Sequence, residues 1–377
     1  PKPQTPNPLR GKEASNAFYR KFGRVAEEGA AAFVMDFITF IPCRLGEPIS
    51  ALDISDGLMA FGSIIGYYGL YFITRDAVVY GRECLTELVR AVKIHNKCVY
   101  LCNGDENITV VPIENIDEWH LTDYPDLRFH HEICSSYMAE LSVDAGGQAL
   151  RALLVFAPTP DLERVVLERP MEAKVCTYLT TFTEEVGVEQ HNITHRLRLL
   201  NYSVVMDFEG TRVLYLYRRP SGSMLMGGDP AAFLVIVNDL ASADTLKIAD
   251  IPENVKLLRF LGSGLVYVQD HKQVHFYDIP LRKPELVLHS ALSLVCVAVD
   301  ARNRRVAFVD KGSNVTLWDL ETRRLVLDQQ PIAHLPGLTD EMRKYNNFEM
   351  GYAYPAALSG DYLAFATDFG IFLFKLF

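Results

Sequence analysis

Two histidines, His191 and His195, stand four positions apart, and the run "RFHHE" gathers His130, His131 and Glu132. Imidazoles at that spacing bind zinc in metalloproteases when a glutamate follows the first histidine on a helix. Asn192 follows His191 instead, in a stretch without helical periodicity. Cys98 and Cys102 are also four apart, within the apolar run "KCVYLC", and would share one face of a strand. No second thiol pair accompanies them, as a structural zinc would need. These groups read as surface histidines and core thiols. No metal or other cofactor is expected.

Nucleophilic and phosphate chemistry find no better footing. "FLGSGL" (260–265) falls in a hairpin turn and is not a Gly-x-Ser-x-Gly elbow. No phosphate-cradling glycine loop follows a strand, and "MGGDPAA" (226–232) is a turn with only two adjacent glycines. The chain is expected not to be an enzyme and to have no small-molecule substrate.

Recognition chemistry is better represented. The segment 338–350, "LTDEMRKYNNFEM", mixes Arg343, Lys344, Tyr345 and Phe348 with methionines, the composition of interface hot spots. It reads either as a short helix packed on the protein itself or as a partner-binding insertion. Residues 1–24 carry Arg10, Lys12, Arg20, Lys21 and Arg24 besides Lys2, against the single acid Glu13. Six charges against one leave +5 in a chain whose total is −10. Four prolines in the first eight residues bar a helix or central strand there. This stretch is expected to be a disordered basic arm: an inert tail, a docking arm for an acidic partner or RNA, or a residual targeting segment.

The elements that would position these groups are strands. About half the residues are hydrophobic, enough for a substantial core. The overall negative charge argues against wholesale nucleic-acid coating. The most apolar runs are too short for a membrane span and contain Asp36 or Asp239. Seven cysteines, mostly in apolar runs, suggest a reducing intracellular compartment, cytoplasmic or nuclear.

Short β-branched and aromatic runs alternate with Gly, Asp and Asn turns along the chain. The stretch 293–327, "SLVCVAVDARNRRVAFVDKGSNVTLWDLETRRLVL", reads as four strands and three turns. The same beat recurs at 49–73, 90–113, 135–157, 196–218, 255–279 and 354–377. Seven such units predict an all-β protein, a single seven-bladed β-propeller of four-stranded antiparallel blades spanning 25–377. The last unit ends one strand short, while an apolar strand at 30–42 precedes the first. An N-terminal strand completing the last blade accounts for both. Surplus between units is expected at about 114–132, 158–195, 219–253 and 328–353, partly as outer strands and partly as loops.

The unit at 293–327 resembles a WD repeat, with Trp318 and Asp319 as its namesake pair. Tyr277 and Asp278 stand in the same place one unit earlier. Asp105 and Asp368 match the tight-turn aspartate that this family often has six residues before the Trp position. At the best unit Gly312 holds that place, and Asp310 lies two residues before it. The resemblance implies a divergent propeller whose repeat residues are architectural. It also implies a non-catalytic scaffold or adaptor subunit that binds one or more proteins of a larger intracellular assembly. An RNA-associated subunit contacting RNA through residues 1–24, and a reader of a short modified or acidic peptide on one propeller face, are the alternatives.

Overall fold

The computed structural model describes residues 35–42, 48–55, 57–80, 88–103, 108–113, 122–123, 135–143, 149–157, 176–183, 187–192, 203–209, 211–218, 233–239, 242, 245–251, 255–280, 283–300, 302–322, 324–329 and 354–377. No described helix is long and apolar enough to cross a membrane. Strand β1 (Met35–Pro42) precedes the first sheet, which holds β2 (Ile49–Ser55), β3 (Leu58–Ser63), β4 (Tyr68–Phe72) and β5 (Ala77–Tyr80). The second holds β6 (Val89–His95), β7 (Cys98–Asn103), β8 (Ile108–Pro112) and the two-residue β9 (Thr122–Asp123). The third holds β10 (Ser135–Val143), β11 (Ala149–Ala157), β12 (Cys176–Thr183) and β13 (Gly187–Asn192).

The fourth runs β14 (Ser203–Glu209), β15 (Arg212–Arg218), β16 (Phe233–Asp239), β17 (Thr245–Ile251). The fifth runs β18 (Val255–Leu261), β19 (Gly264–Gln269), β20 (Gln273–Asp278), β21 (Lys283–His289). The sixth runs β22 (Leu294–Asp300), β23 (Arg305–Asp310), β24 (Val315–Asp319), β25 (Arg324–Gln329). The seventh contains β26 (Ala356–Ser359), β27 (Tyr362–Ala366) and β28 (Gly370–Leu376), with β1 as its outer strand. Pairing is antiparallel within the sheets. The first strand of each sheet touches that of the next, and β26 returns to β2. The ring is closed.

Blades stacked face to face bury their middle strands on both sides, so these strands lose the polar alternation of a half-exposed sheet. All six residues of β3 "LMAFGS" and of β23 "RVAFVD" are buried. Between blades six and seven, Cys296, Ala307, Leu317 and Leu327 pack with Leu363, Phe365 and Phe374. Met35 of β1 joins that cluster.

The seventh blade is completed by β1 as the strand count required. Its ladder to β28 runs from Met35–Leu376 to Pro42–Gly370, with a register shift between Phe37 and Thr39. Phe37 meets Phe374 edge-on at 5.8 Å between ring centroids, and Phe40 lies 4.7 Å from Phe372. Six of the seven residues of β28 are buried, all but Lys375, so its outer edge needs a covering strand.

Blades three and four divide differently from the repeat spacing. Their third and fourth strands lie inside the stretches 158–195 and 219–253. The surplus at 158–175 and 219–232 therefore falls between the second and third strands of a blade. Only 193–202 and 252–254 join blade to blade there. A long insertion in mid-blade breaks the local beat on which repeat recognition depends, whereas the antiparallel ladder forms regardless of loop length.

Candidate functional site

Antiparallel order fixes what each end of the blades displays. Connections between second and third strands, and those from one blade to the next, emerge on one face of the ring. The remaining hairpin turns emerge on the other. The first face receives 81–88, 124–134, 158–175, 193–202, 219–232 and 330–355. On the second the turns are short, such as 56–57, 96–97, 210–211, 262–263 and 360–361, with 113–121 the longest. Arg343, Lys344, Tyr345 and Phe348 belong to the 330–355 connection and lie outside the described residues. So do Arg10, Lys12, Arg20, Lys21, Arg24 and Asp105, together with the histidines of "RFHHE" and His195. Among the described residues no group of three potential metal ligands gathers. Cys98, Cys102 and Cys296 are not in disulfides, and burial pushes the Cys296 thiol strongly up.

Two charged devices join neighbouring blades. In the first, an aspartate two residues before the end of an inner strand reaches a backbone N–H of the next blade. Asp53 Oδ2 accepts from Ile94 N at 2.8 Å, and its Oδ1 meets Lys93 Nζ at 2.7 Å. Asp207 Oδ2 accepts from Phe260 N at 2.6 Å, and its Oδ1 accepts from Phe208 N at 3.0 Å. Lys93 and Arg259 occupy the same register place in the receiving blades, one residue before Ile94 and Phe260. Burial raises the Asp207 carboxyl above its ordinary value. The Arg259 guanidinium, the two backbone N–H groups and the Lys93 ammonium pull it back down.

In the second device, the first residue of a second strand is an arginine that reaches into the next blade's first turn. Arg212 Nη2 donates to Gly262 O at 2.7 Å, and Arg305 Nη2 donates to Gly360 O at 2.6 Å. Both glycines have left-handed φ, +56° and +55°, which leaves their carbonyls free of a hairpin ladder. Each arginine has an acid across the turn. Glu209 pairs with Arg212, and Asp300 lies 3.8 Å from Arg305. Asp300 Oδ2 also accepts from Gly360 N at 3.0 Å. Burial raises the Glu209 carboxyl, with Arg212 acting against it. None of these residues stands out in the sequence. The available signal was the pair "ALDIS" and "VMDFE", each an aspartate between apolar residues just ahead of a glycine turn.

No family model and no curated protein matches the chain. Among solved structures, it is similar to the computationally designed Ika8 protein, a β-propeller. That match has a TM-score of 0.52 at 11% identity and covers 91% of this chain and 100% of that one. The fold is a β-propeller. Within it, the charged devices hold blade to blade, and one face receives the long connections.

The repeat residues fall inside this propeller as follows. Trp318 is half-buried on β24, opposite Val306 and Leu325, and packs against the cluster between blades five and six. Its Nε1 finds no acceptor among the described residues. Asp319 accepts from Thr322 N at 2.8 Å, and that bond holds its carboxyl below the usual range. Tyr277 packs against the cluster between blades four and five, and Asp278 pairs with Lys283 in register. Asp368 accepts from the Tyr354 hydroxyl at 2.7 Å. Asp310 organises the turn after β23: Oδ1 accepts from Gly312 N at 2.8 Å and Asn314 N at 3.0 Å, and Oδ2 from Asn314 Nδ2 at 2.7 Å. These bonds hold Ser313 at φ +61°. Asp310→Ala is expected to cost about 1–3 kcal/mol through unsatisfied turn donors, read as a lower urea midpoint. An unchanged midpoint would show that the turn holds itself.

Proposed function

We propose that this chain is a divergent WD-repeat propeller serving as a non-catalytic scaffold in a larger protein assembly. It works inside the cell, in the reducing cytoplasm or nucleus, and docks a partner protein on the face that carries the long connections. What supports this reading is the one-sided distribution of chain. Ladder parity brings 124–134, 158–175, 193–202, 219–232 and 330–355 to the same face, and the last contains the Arg343–Phe348 interface composition. A rigid ring presenting long connections on one side suits recognition by surface.

The test is affinity purification of the tagged full chain from its native cells, followed by mass spectrometry. A partner recovered in near-stoichiometric amount is expected, and it should be lost from a folded R343E/K344E/Y345A/F348A variant. Recovery of the wild type only as a lone monomer would overturn the reading.

A further inference from the structure

The opposite face, with its short turns, also carries a surface with a definite charge. In blade six, Arg302 and Arg304 are exposed on the turn from β22 to β23, and Arg324 is exposed at the start of β25. The turns are tied together, because Leu320 N donates to Arg304 O at 2.9 Å. Arg304 itself sits at φ +49°, so the hairpin geometry and not a flexible loop places it. From the first residue of β23 to the first of β25 is two strand spacings, about 10 Å.

The surface continues into blade seven. Arg305 and Asp300 bind the peptide of Gly360, and Leu376 N donates to Asp361 O at 2.6 Å. Lys375 lies at that end of β28 with its Nζ 4.6 Å from the centroid of the exposed Phe377 ring. Met35 pairs with Leu376, so residues 1–34, with the +5 of residues 1–24, join the ring at this same place. The described acids here are the exposed Glu321 and Asp361 and the half-buried Asp36, opposite Lys375 in register, besides Asp300 and Asp319, which are occupied by Gly360, Asn303 and Thr322.

We infer that the short-turn end of blade six, built on Arg302, Arg304 and Arg324, is a second docking site, for an Asp/Glu-rich segment of a partner protein. Three guanidinium groups on rigid turns suit carboxylates at intervals of about three residues along an extended peptide. Arginine is favoured over lysine for such pairing because its planar fork takes a carboxylate bidentately. A short acidic segment also suits a patch interrupted by the exposed acids Glu321 and Asp361. A nucleic-acid backbone would run its charge onward, over Glu321, Asp361 and a chain of net charge −10. The inference goes beyond the scaffold reading and does not need it, since the connection that carries the first site starts and ends on the opposite face.

The experiment measures fluorescence anisotropy of a labelled peptide of about twelve alternating Asp and Glu residues, at low and at physiological salt. The full chain is compared with R302E/R304E/R324E and with the uncharged R302Q/R304Q/R324Q. Binding by the wild type that weakens with salt, at least about tenfold on reversal and less on neutralisation, is expected. Arg305, which clasps blade seven, is left in place so that the ring stays closed, and thermal unfolding of both variants verifies this. If the wild type fails to bind the peptide at low salt, or the folded reversal variant binds it as well, the site is refuted. Tighter binding of a single-stranded RNA of equal length, lost on reversal, would overturn the acidic-protein occupant. The R343E/K344E/Y345A/F348A variant should bind the peptide normally, so failure of the other face's partner leaves this result readable.

Discussion

Deleting residues 1–42 is expected to abolish cooperative thermal unfolding, whereas deleting residues 1–24 leaves the transition where it was. The longer deletion removes β1, and with it the outer ladder of blade seven from Met35 to Pro42. It also removes the ring contacts of Phe37 and Phe40 with Phe374 and Phe372. What remains is β28 with an open edge of buried, strongly apolar residues, a template for aggregation. Because β1 joins the first-entered end of the chain to its last blade, its loss also frees blades seven and one to separate. Those blades share the core that includes Met59, Phe61, Ile371 and Leu373. Differential scanning calorimetry of the two truncations decides the matter. A sharp transition for the longer truncation would show that the ring closes without its N-terminal strand.

A single residue tests the same seam. Gly370 ends the β1–β28 ladder opposite Pro42, and a Cβ there would stand 2.2 Å from Ile41 O and 2.8 Å from the Phe40 ring. The nearest obstacle is backbone in a hydrogen-bonded strand, which cannot rotate aside. Gly370→Val should therefore pry β1 from β28, at a cost of about 3 kcal/mol by overpacking.

The closing strand could be read from sequence because it is a matter of counting. Six units had room for four strands, and the seventh stopped at "FLFKLF". The turn aspartates were half legible. Asp310 acts within its own hairpin, where a few residues of separation decide the geometry, whereas Asp368 reaches back past β26 and β27 to Tyr354. The inter-blade devices were not legible for the opposite reason. Asp207 meets Phe260, and Asp300 meets Gly360, across more than fifty residues of chain. Only an apolar setting just ahead of a glycine turn marks Asp53 and Asp207 locally, and it says nothing of the partner in the next blade. Blades three and four were misdivided because insertion inside a blade erases the spacing that identifies a repeat. The candidate interface residues Arg343, Lys344, Tyr345 and Phe348 were found by composition alone, and the ladder adds on which face their connection starts and ends.

Asp207→Ala is expected to destabilise the ring by about 3 kcal/mol, the upper end of the cost of leaving buried donors without an acceptor. Two effects combine. Phe260 N–H, buried in the seam between blades four and five, loses its acceptor. The Arg259 guanidinium also loses the carboxyl that offsets it. Asp53→Ala removes the matching bond to Ile94 N, but the Lys93 side chain beside it is one-third exposed, 33%, and stays hydrated. Its cost should be limited to the stranded N–H, about 1–3 kcal/mol. Urea unfolding of the two variants gives the comparison, and equal losses would contradict it. Asp207 should further leave a mark on pH dependence. Burial raises its carboxyl in the folded chain above the ordinary 3.8, so the folded state holds a proton that the unfolded chain has released. The stability this supplies is complete below about 3.8 and is lost as pH rises through the raised value. Asp207→Asn cannot titrate. The stability of the wild type relative to Asp207→Asn should therefore grow as the pH is lowered from neutrality. A difference that stays flat, or falls, would mean that Arg259 and the backbone donors outweigh burial at this seam.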